Sequence, residues 1–161
     1  MMNKFNLLFI TFFKIGKIKL APGTIASFIT CLLFFLFANL SNIVILFFIT
    51  LLIALYSLVA INNSFDSFDS EDPQEIVIDE VVGQMLPLLA IPIYETLYIA
   101  PKEYYCIAAF ILFRLFDIWK PFPINYVDKN TEGSLGIMLD DILAGIYSIV
   151  TLIIIFFFIG A

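Results

Sequence analysis

The chain has 161 residues, 62% of them hydrophobic and only 14% charged, with a mean hydropathy of +1.05 and a net charge of −6. That charged share is about half that of an ordinary soluble domain, so residues 1–161 read as one membrane-embedded domain with no length left for a separate soluble module. The absence of histidine excludes a Ser-His-Asp triad, the acidic balance excludes a basic nucleic-acid groove, and Cys31 and Cys106, in apolar runs without neighbouring ligands, point to neither a disulfide nor zinc.

The first fifteen residues include FNLLFITFF, too short to cross a bilayer and without a small-residue cleavage site, so they read as an amphipathic interfacial helix. Apolar runs over 25–40 and 43–61, separated by Ser41 and Asn42, form a predicted helical hairpin. The acidic stretch that follows must lie outside the hydrocarbon, as a solvated loop. At its end Asp72, Pro73 and Glu75 have the spacing of an N-cap, a first-turn proline and a capping-box glutamate, and predict a helix carrying residues 76–94. Pro101 with its flanking tyrosines marks a return to the interface, and a fourth span is expected over 104–119. The prolines of WKPFPI end it, with Trp119 and Phe122 as interfacial anchors; a polar stretch over 120–136 precedes a last span over 137–159. The expected architecture is all-α and polytopic, about five spans plus the N-terminal interfacial helix. Lys4, Lys14, Lys17, Lys19, Arg114, Lys120 and Lys129 then lie on or near one face, which the positive-inside rule makes cytoplasmic.

Charges within spans are costly, about 3 kcal/mol each on insertion scales. Yet Asp79 and Glu80 are expected about two turns inside the third helix, Arg114 and Asp117 in the last turns of the fourth, and Asp140 and Asp141 at the opening of the fifth. Arg114, Asp117 and Lys120 step by three and share a helix face. A structural ion-pair network is one reading. Against it, the six carboxylates counted with Asp128 outnumber the cations Arg114, Lys120 and Lys129, and like charges so close repel unless a divalent cation lies among them. A surplus of hard oxygen ligands without histidine or thiolate points to Mg2+. Pro22, Gly23 and Thr24, with Lys17 and Lys19 upstream, read as a turn and helix start capped by Thr24 or Ser27, and also as a place to hold a phosphate. Gly133 and Gly136, before the last helix, could likewise present amides to an anion.

Carboxylates for a metal, cations for an anion and a position at the membrane surface suggest chemistry on a lipid phosphate. A cysteine followed five residues later by arginine is absent, as is a DxD pair. Metal-assisted displacement remains, in which Arg114 and Lys120 balance developing charge and a carboxylate activates water; a covalent aspartyl-phosphate is a variant.

The segments PGT at 22–24, IDEVVGQ at 78–84, FRLFDIWKPFPI at 113–124 and DKNTEGSLGIMLDDILAG at 128–145 resemble, in order, the motif series of the phosphatidylglycerophosphatase A family. The resemblance implies a magnesium-dependent enzyme of the bacterial inner membrane, its site facing the cytoplasm, that removes the terminal phosphate of phosphatidylglycerophosphate. It implies Asp79, Glu80, Asp117, Asp128, Asp140 and Asp141 as metal candidates, with Asp79, Glu80, Asp117 and Asp141 catalytic. Arg114 and Lys120, with Gly23 and Thr24, are the phosphate candidates. No protein partner is implied. A small carrier with a carboxylate-lined cation path is the rival class, but it would need polar groups at matching depth in the outer half, which is nearly bare. A CDP-alcohol phosphotransferase would need a DG-x2-AR motif, which is missing.

Overall fold

A computed structural model describes residues 4–37, 42–64, 68 and 73–160. In chain order the helices are α1 (Lys4–Ile10), a 3-10 turn (Ile15–Lys17), α2 (Pro22–Phe37), α3 (Ile43–Asn62), α4 (Ile78–Leu89), α5 (Ile91–Leu97), α6 (Lys102–Trp119), α7 (Ile124–Asn130) and α8 (Gly133–Gly160), with no strand among the described residues. α3 and α8, of 20 and 28 residues, are long and apolar enough to cross a membrane; α2 is apolar but shorter.

Local chemistry explains the helix ends. Asn42 caps α3, its Oδ1 accepting the amide of Val44 at 2.8 Å. α2 opens on Pro22, whose missing N–H is no loss in a first turn. α6 stops where expected: Lys120 adopts the left-handed conformation (φ 45°), its amide donates to the Phe116 carbonyl at 2.8 Å, and Pro121 and Pro123 follow. The turn is tied to α8 by the Tyr147 hydroxyl, which donates to the Phe122 carbonyl at 3.0 Å.

α8 is the axis of the bundle, with α4 and α6 laid along it and α7, α3 and α5 around them; α2 and α3 both pack on α4. At the crossing of α4 and α8 a Cβ on Gly145 would lie 2.6 Å from the Gly83 carbonyl oxygen, and one on Gly83 would lie 2.7 Å from that of Asp141. Glycine is required at both positions because the two backbones touch. One apolar core, including Ile10, Ile61, Val77 and Val82, lies beneath the N-terminal segment; a second, including Tyr94, Tyr105, Leu152 and Phe156, fills the other end. The Val77 amide donates to the Ile10 carbonyl at 3.0 Å, and the Tyr56 hydroxyl donates to Asn6 Oδ1 at 2.8 Å, so α1 is held down on α3 and α4.

The segment after the acidic stretch departs from expectation. α4 begins at Ile78, not at Pro73, because residues 73–76 form a turn closed by the Ile76 amide on the Pro73 carbonyl at 2.9 Å. Glu75 pairs with Lys17 at 3.6 Å instead of capping a helix, and Asp72 lies outside the described residues. The expected single helix over 76–94 is divided at Ala90, with Pro87 in the last turn of α4 and Pro92 in the first turn of α5. α8 starts at Gly133, four residues ahead of the predicted span, and part of the polar stretch is the helix α7.

Candidate active site

The shift in helix starts changes the depth of the acids. Asp79 and Glu80 lie in the first turn of α4, not two turns in, where the free amides favour negative charge. Asp140 and Asp141 sit two turns inside α8 and are buried, 9% and 2% exposed. Because α4 and α8 cross at Gly83 and Gly145, one turn or so further along each helix, these acids meet at one end of the bundle. Ligand oxygens of Asp79, Glu80 and Asp141 lie within 4.8 Å of one another.

The cations come from α6. Arg114 forms an ion pair with Asp117 one turn on, both side chains largely buried at 15% and 13% exposure. Lys120, placed by its left-handed cap, donates to Asp140 Oδ2 at 2.7 Å and to Asp128 Oδ1 of α7 at 2.5 Å. Burial would lower the pKa of this ammonium, but its bonds to Asp128 and Asp140 and their negative charge outweigh that, and it lies above the ordinary lysine range.

Gly23 completes the wall. A Cβ here would overlap Glu80 Oε1 and come within 3.4 Å of Arg114 Nη1, so the start of α2 packs directly on the acid and the base. Ser27 does not cap the helix: its hydroxyl donates to the Gly23 carbonyl at 2.9 Å within α2.

These elements enclose a cavity of about 430 Å³ lined by Gly23, Thr24, Asp79, Glu80, Arg114, Asp117, Lys120, Asp140 and Asp141. Of the residues singled out in the sequence, Asp128 is not on its wall and reaches the site through Lys120. Gly133 and Gly136 do not line it either; a Cβ on Gly136 would collide with the Thr131 carbonyl, so that glycine serves the turn into α8. Gln74 and Ile118 line the cavity and were not foreseen. Gln74 lies in the turn misread as helix, and Ile118 looks like any apolar residue of a span.

Asp79 Oδ1, Glu80 Oε2 and Asp140 Oδ1 are buried with no hydrogen-bond partner among the described residues. Unpaired buried carboxylate oxygens are expensive, and the convergence of Asp79, Glu80 and Asp141 within 4.8 Å fits a hard divalent cation. The cavity therefore offers both oxygen ligands, from α4, α8 and Asp117 of α6, and the cations Arg114 and Lys120 suited to an anion.

The family described as Phosphatidylglycerophosphatase A matches residues 8–156. A Bacteroides thetaiotaomicron protein with the name "Putative phosphatidylinositol-3-phosphatase" is 40% identical over 146 residues, covering 87% of this chain and 86% of that one. The Phosphatidylglycerophosphatase A of Haemophilus influenzae is 37% identical over 150 residues, covering 93% and 87% respectively. That of Escherichia coli is 42% identical over 77 residues, 48% of this chain and 41% of its own. No solved structure matches the chain.

Proposed function

The chain belongs to the phosphatidylglycerophosphatase A family, and on that premise we propose that it hydrolyses the terminal phosphate of phosphatidylglycerophosphate to phosphatidylglycerol and inorganic phosphate, with Mg2+ as cofactor. The observation that carries this reading is the single cavity that brings the converging carboxylates of Asp79, Glu80 and Asp141 together with Arg114 and Lys120. Magnesium would be held by Asp79, Glu80 and Asp141, with Asp140, Asp117 and Asp128 as further carboxylates of the surround. When bound, it supplies Lewis acidity to a phosphoryl oxygen and to water.

The remaining work falls to the chain's own residues. Arg114 and Lys120 bind the non-bridging oxygens of the phosphate, and Arg114, tied to Asp117, presents its fork in a fixed orientation. Gly23 and Thr24, at the start of α2, bring backbone amides close to the same anion. One of the carboxylates Asp79, Glu80, Asp117 and Asp141 takes the proton of the attacking water. The water oxygen bonds to phosphorus as the bond from phosphorus to the glycerol oxygen breaks, the two cations offset the charge that develops, and the carboxyl group returns its proton to the departing oxygen to give the alcohol.

The bundle is a single domain that spans the bacterial inner membrane about five times, with α1 at the interface and the cavity open to the cytoplasm. The basic residues near the cavity end support that orientation. The relative named for a phosphoinositide favours a second reading, in which the phosphomonoester sits on an inositol headgroup. Phosphate release from purified protein, measured on phosphatidylglycerophosphate and on phosphatidylinositol 3-phosphate with magnesium or with EDTA, tests both. Turnover of the first lipid that stops in EDTA and returns with magnesium is the expected result; full turnover in chelator refutes the metal-assisted mechanism.

A further inference from the structure

The polar cavity has room for a headgroup and none for two acyl chains. Its charged walls would not receive them in any case. An apolar groove of about 470 Å³ on the outward face of α6 is lined by Ile111, Arg114, Leu115, Ile118 and Trp119. Arg114 and Ile118 belong to both the groove and the cavity, so the two are continuous across that edge.

The stripe is exposed: Ile111 is 55% accessible, Leu115 44%, and Ile118 and Trp119 71% each. Its spacing of four, three and one places these residues along one side of a helix over roughly 12 Å, leading away from the charged end. Arg114 stands at the boundary, with its guanidinium on Asp117 in the cavity and its aliphatic stem bordering the groove. A smaller apolar cleft of about 350 Å³ between α2, α3 and α4, lined by Leu33, Phe34 and Val82 among others, shares no described residue with the cavity.

We infer that an acyl chain of the substrate lies along the Ile111–Leu115–Ile118 stripe of α6 while its phosphate occupies the cavity. The inference rests on the reading of the cavity as a lipid-phosphate site. It assigns a tail-binding role to a helix face that otherwise passes for ordinary lipid-facing surface, and it sends the substrate in sideways from the bilayer past Ile118.

Two measurements test it. In the first, Leu115→Trp and Ile111→Trp, which fill the groove without touching the cavity, are assayed on a dipalmitoyl and on a dibutanoyl phosphatidylglycerophosphate. The expected result is a fall of about tenfold in kcat/KM on the long-chain lipid, the scale of one lost apolar side-chain contact, with the short-chain substrate within twofold of wild type. Equal losses on both substrates, or none on either, overturn the inference. The second measurement is independent of turnover: a phosphatidylglycerophosphate with a photoreactive group midway along one chain is crosslinked to the wild-type protein in mixed micelles. Label on residues 102–119 that unlabelled phosphatidylglycerophosphate displaces and phosphatidylcholine does not supports the assignment, even if the protein turns over neither substrate and the phosphatase reading has failed. Label in the α2–α3 cleft, or displacement by both lipids alike, overturns the assignment.

Discussion

Gly23→Ala adds one methyl group at the tightest point of the site. The backbone there is ordinary helix, so alanine is not strained, and the exchange gains about 0.5–1 kcal/mol in helix propensity. The new Cβ, however, would overlap Glu80 Oε1, with Arg114 Nη1 3.4 Å away. Glu80 Oε1 is the far end of a flexible side chain, so relief comes from turning that carboxylate, at about 0.5–1.5 kcal/mol for a rotation off its well. The two stability effects are of similar size and opposite sign, and the melting temperature should move by no more than a few degrees. Activity should not be spared. A displacement near 1 Å of a group that orients the reaction costs about 100-fold, or about 2.7 kcal/mol of barrier. Phosphate release on phosphatidylglycerophosphate, beside thermal unfolding in the same detergent, reads both quantities. Wild-type turnover in the folded variant would show that Glu80 has no part in the reaction at this position, and a large drop in melting temperature would show that Gly23 serves packing alone.

Asp79→Asn and Asp141→Asn each remove one negative ligand at nearly constant volume; turnover should fall by orders of magnitude, and the rise in melting temperature on adding magnesium should shrink in both. Normal turnover in both would reduce the cluster to a structural network. Lys120→Gln breaks the bonds to Asp128 and Asp140 and removes a phosphate contact, so KM should rise about tenfold or more while the magnesium requirement stays as in wild type. An unchanged KM would remove Lys120 from the phosphate side. For orientation, a cysteine at Glu132 should be shielded from a membrane-impermeant thiol reagent in intact cells and one at Ile99 should react, against a low background because Cys31 and Cys106 are buried. The reverse pattern would invert the topology.

The membership of the charged cluster was legible because charge in an apolar chain is conspicuous: Asp79, Glu80, Arg114, Asp117, Asp140 and Asp141 stood out one by one, and the cavity gathers all six. The end of α6 was equally plain, since Pro121 and Pro123 leave few alternatives. Depth was harder. The apparent cap at Asp72, Pro73 and Glu75 is outweighed by a tertiary contact, the Val77 amide on the Ile10 carbonyl, which holds residues 73–77 out of the helix. Proline at 87 and 92 hinted that one helix would become two, but hydropathy continues unbroken across Ala90 and conceals the joint. Gly23 drew notice as a possible anion cradle; its closest constraint is Glu80, a residue distant in the chain, which no local pattern reveals.

The contact of Gly83 with α8 and of Gly145 with α4 has a consequence for any ion held, as proposed, among Asp79, Glu80 and Asp141. Because carbonyl meets backbone there, no rotamer can take up slack, and the distance between the acid-bearing ends of the two helices is set by the main chain. With the helix ends held, any adjustment to ionic radius falls to the carboxylate side chains of Asp79, Glu80 and Asp141 alone. Magnesium prefers oxygen at about 2.0–2.1 Å and calcium at about 2.3–2.6 Å, a difference the side chains would have to absorb without help from the main chain. If magnesium is the ion, widening the crossing by a single methyl group, as Gly145→Ala would, should weaken discrimination against calcium before it abolishes binding.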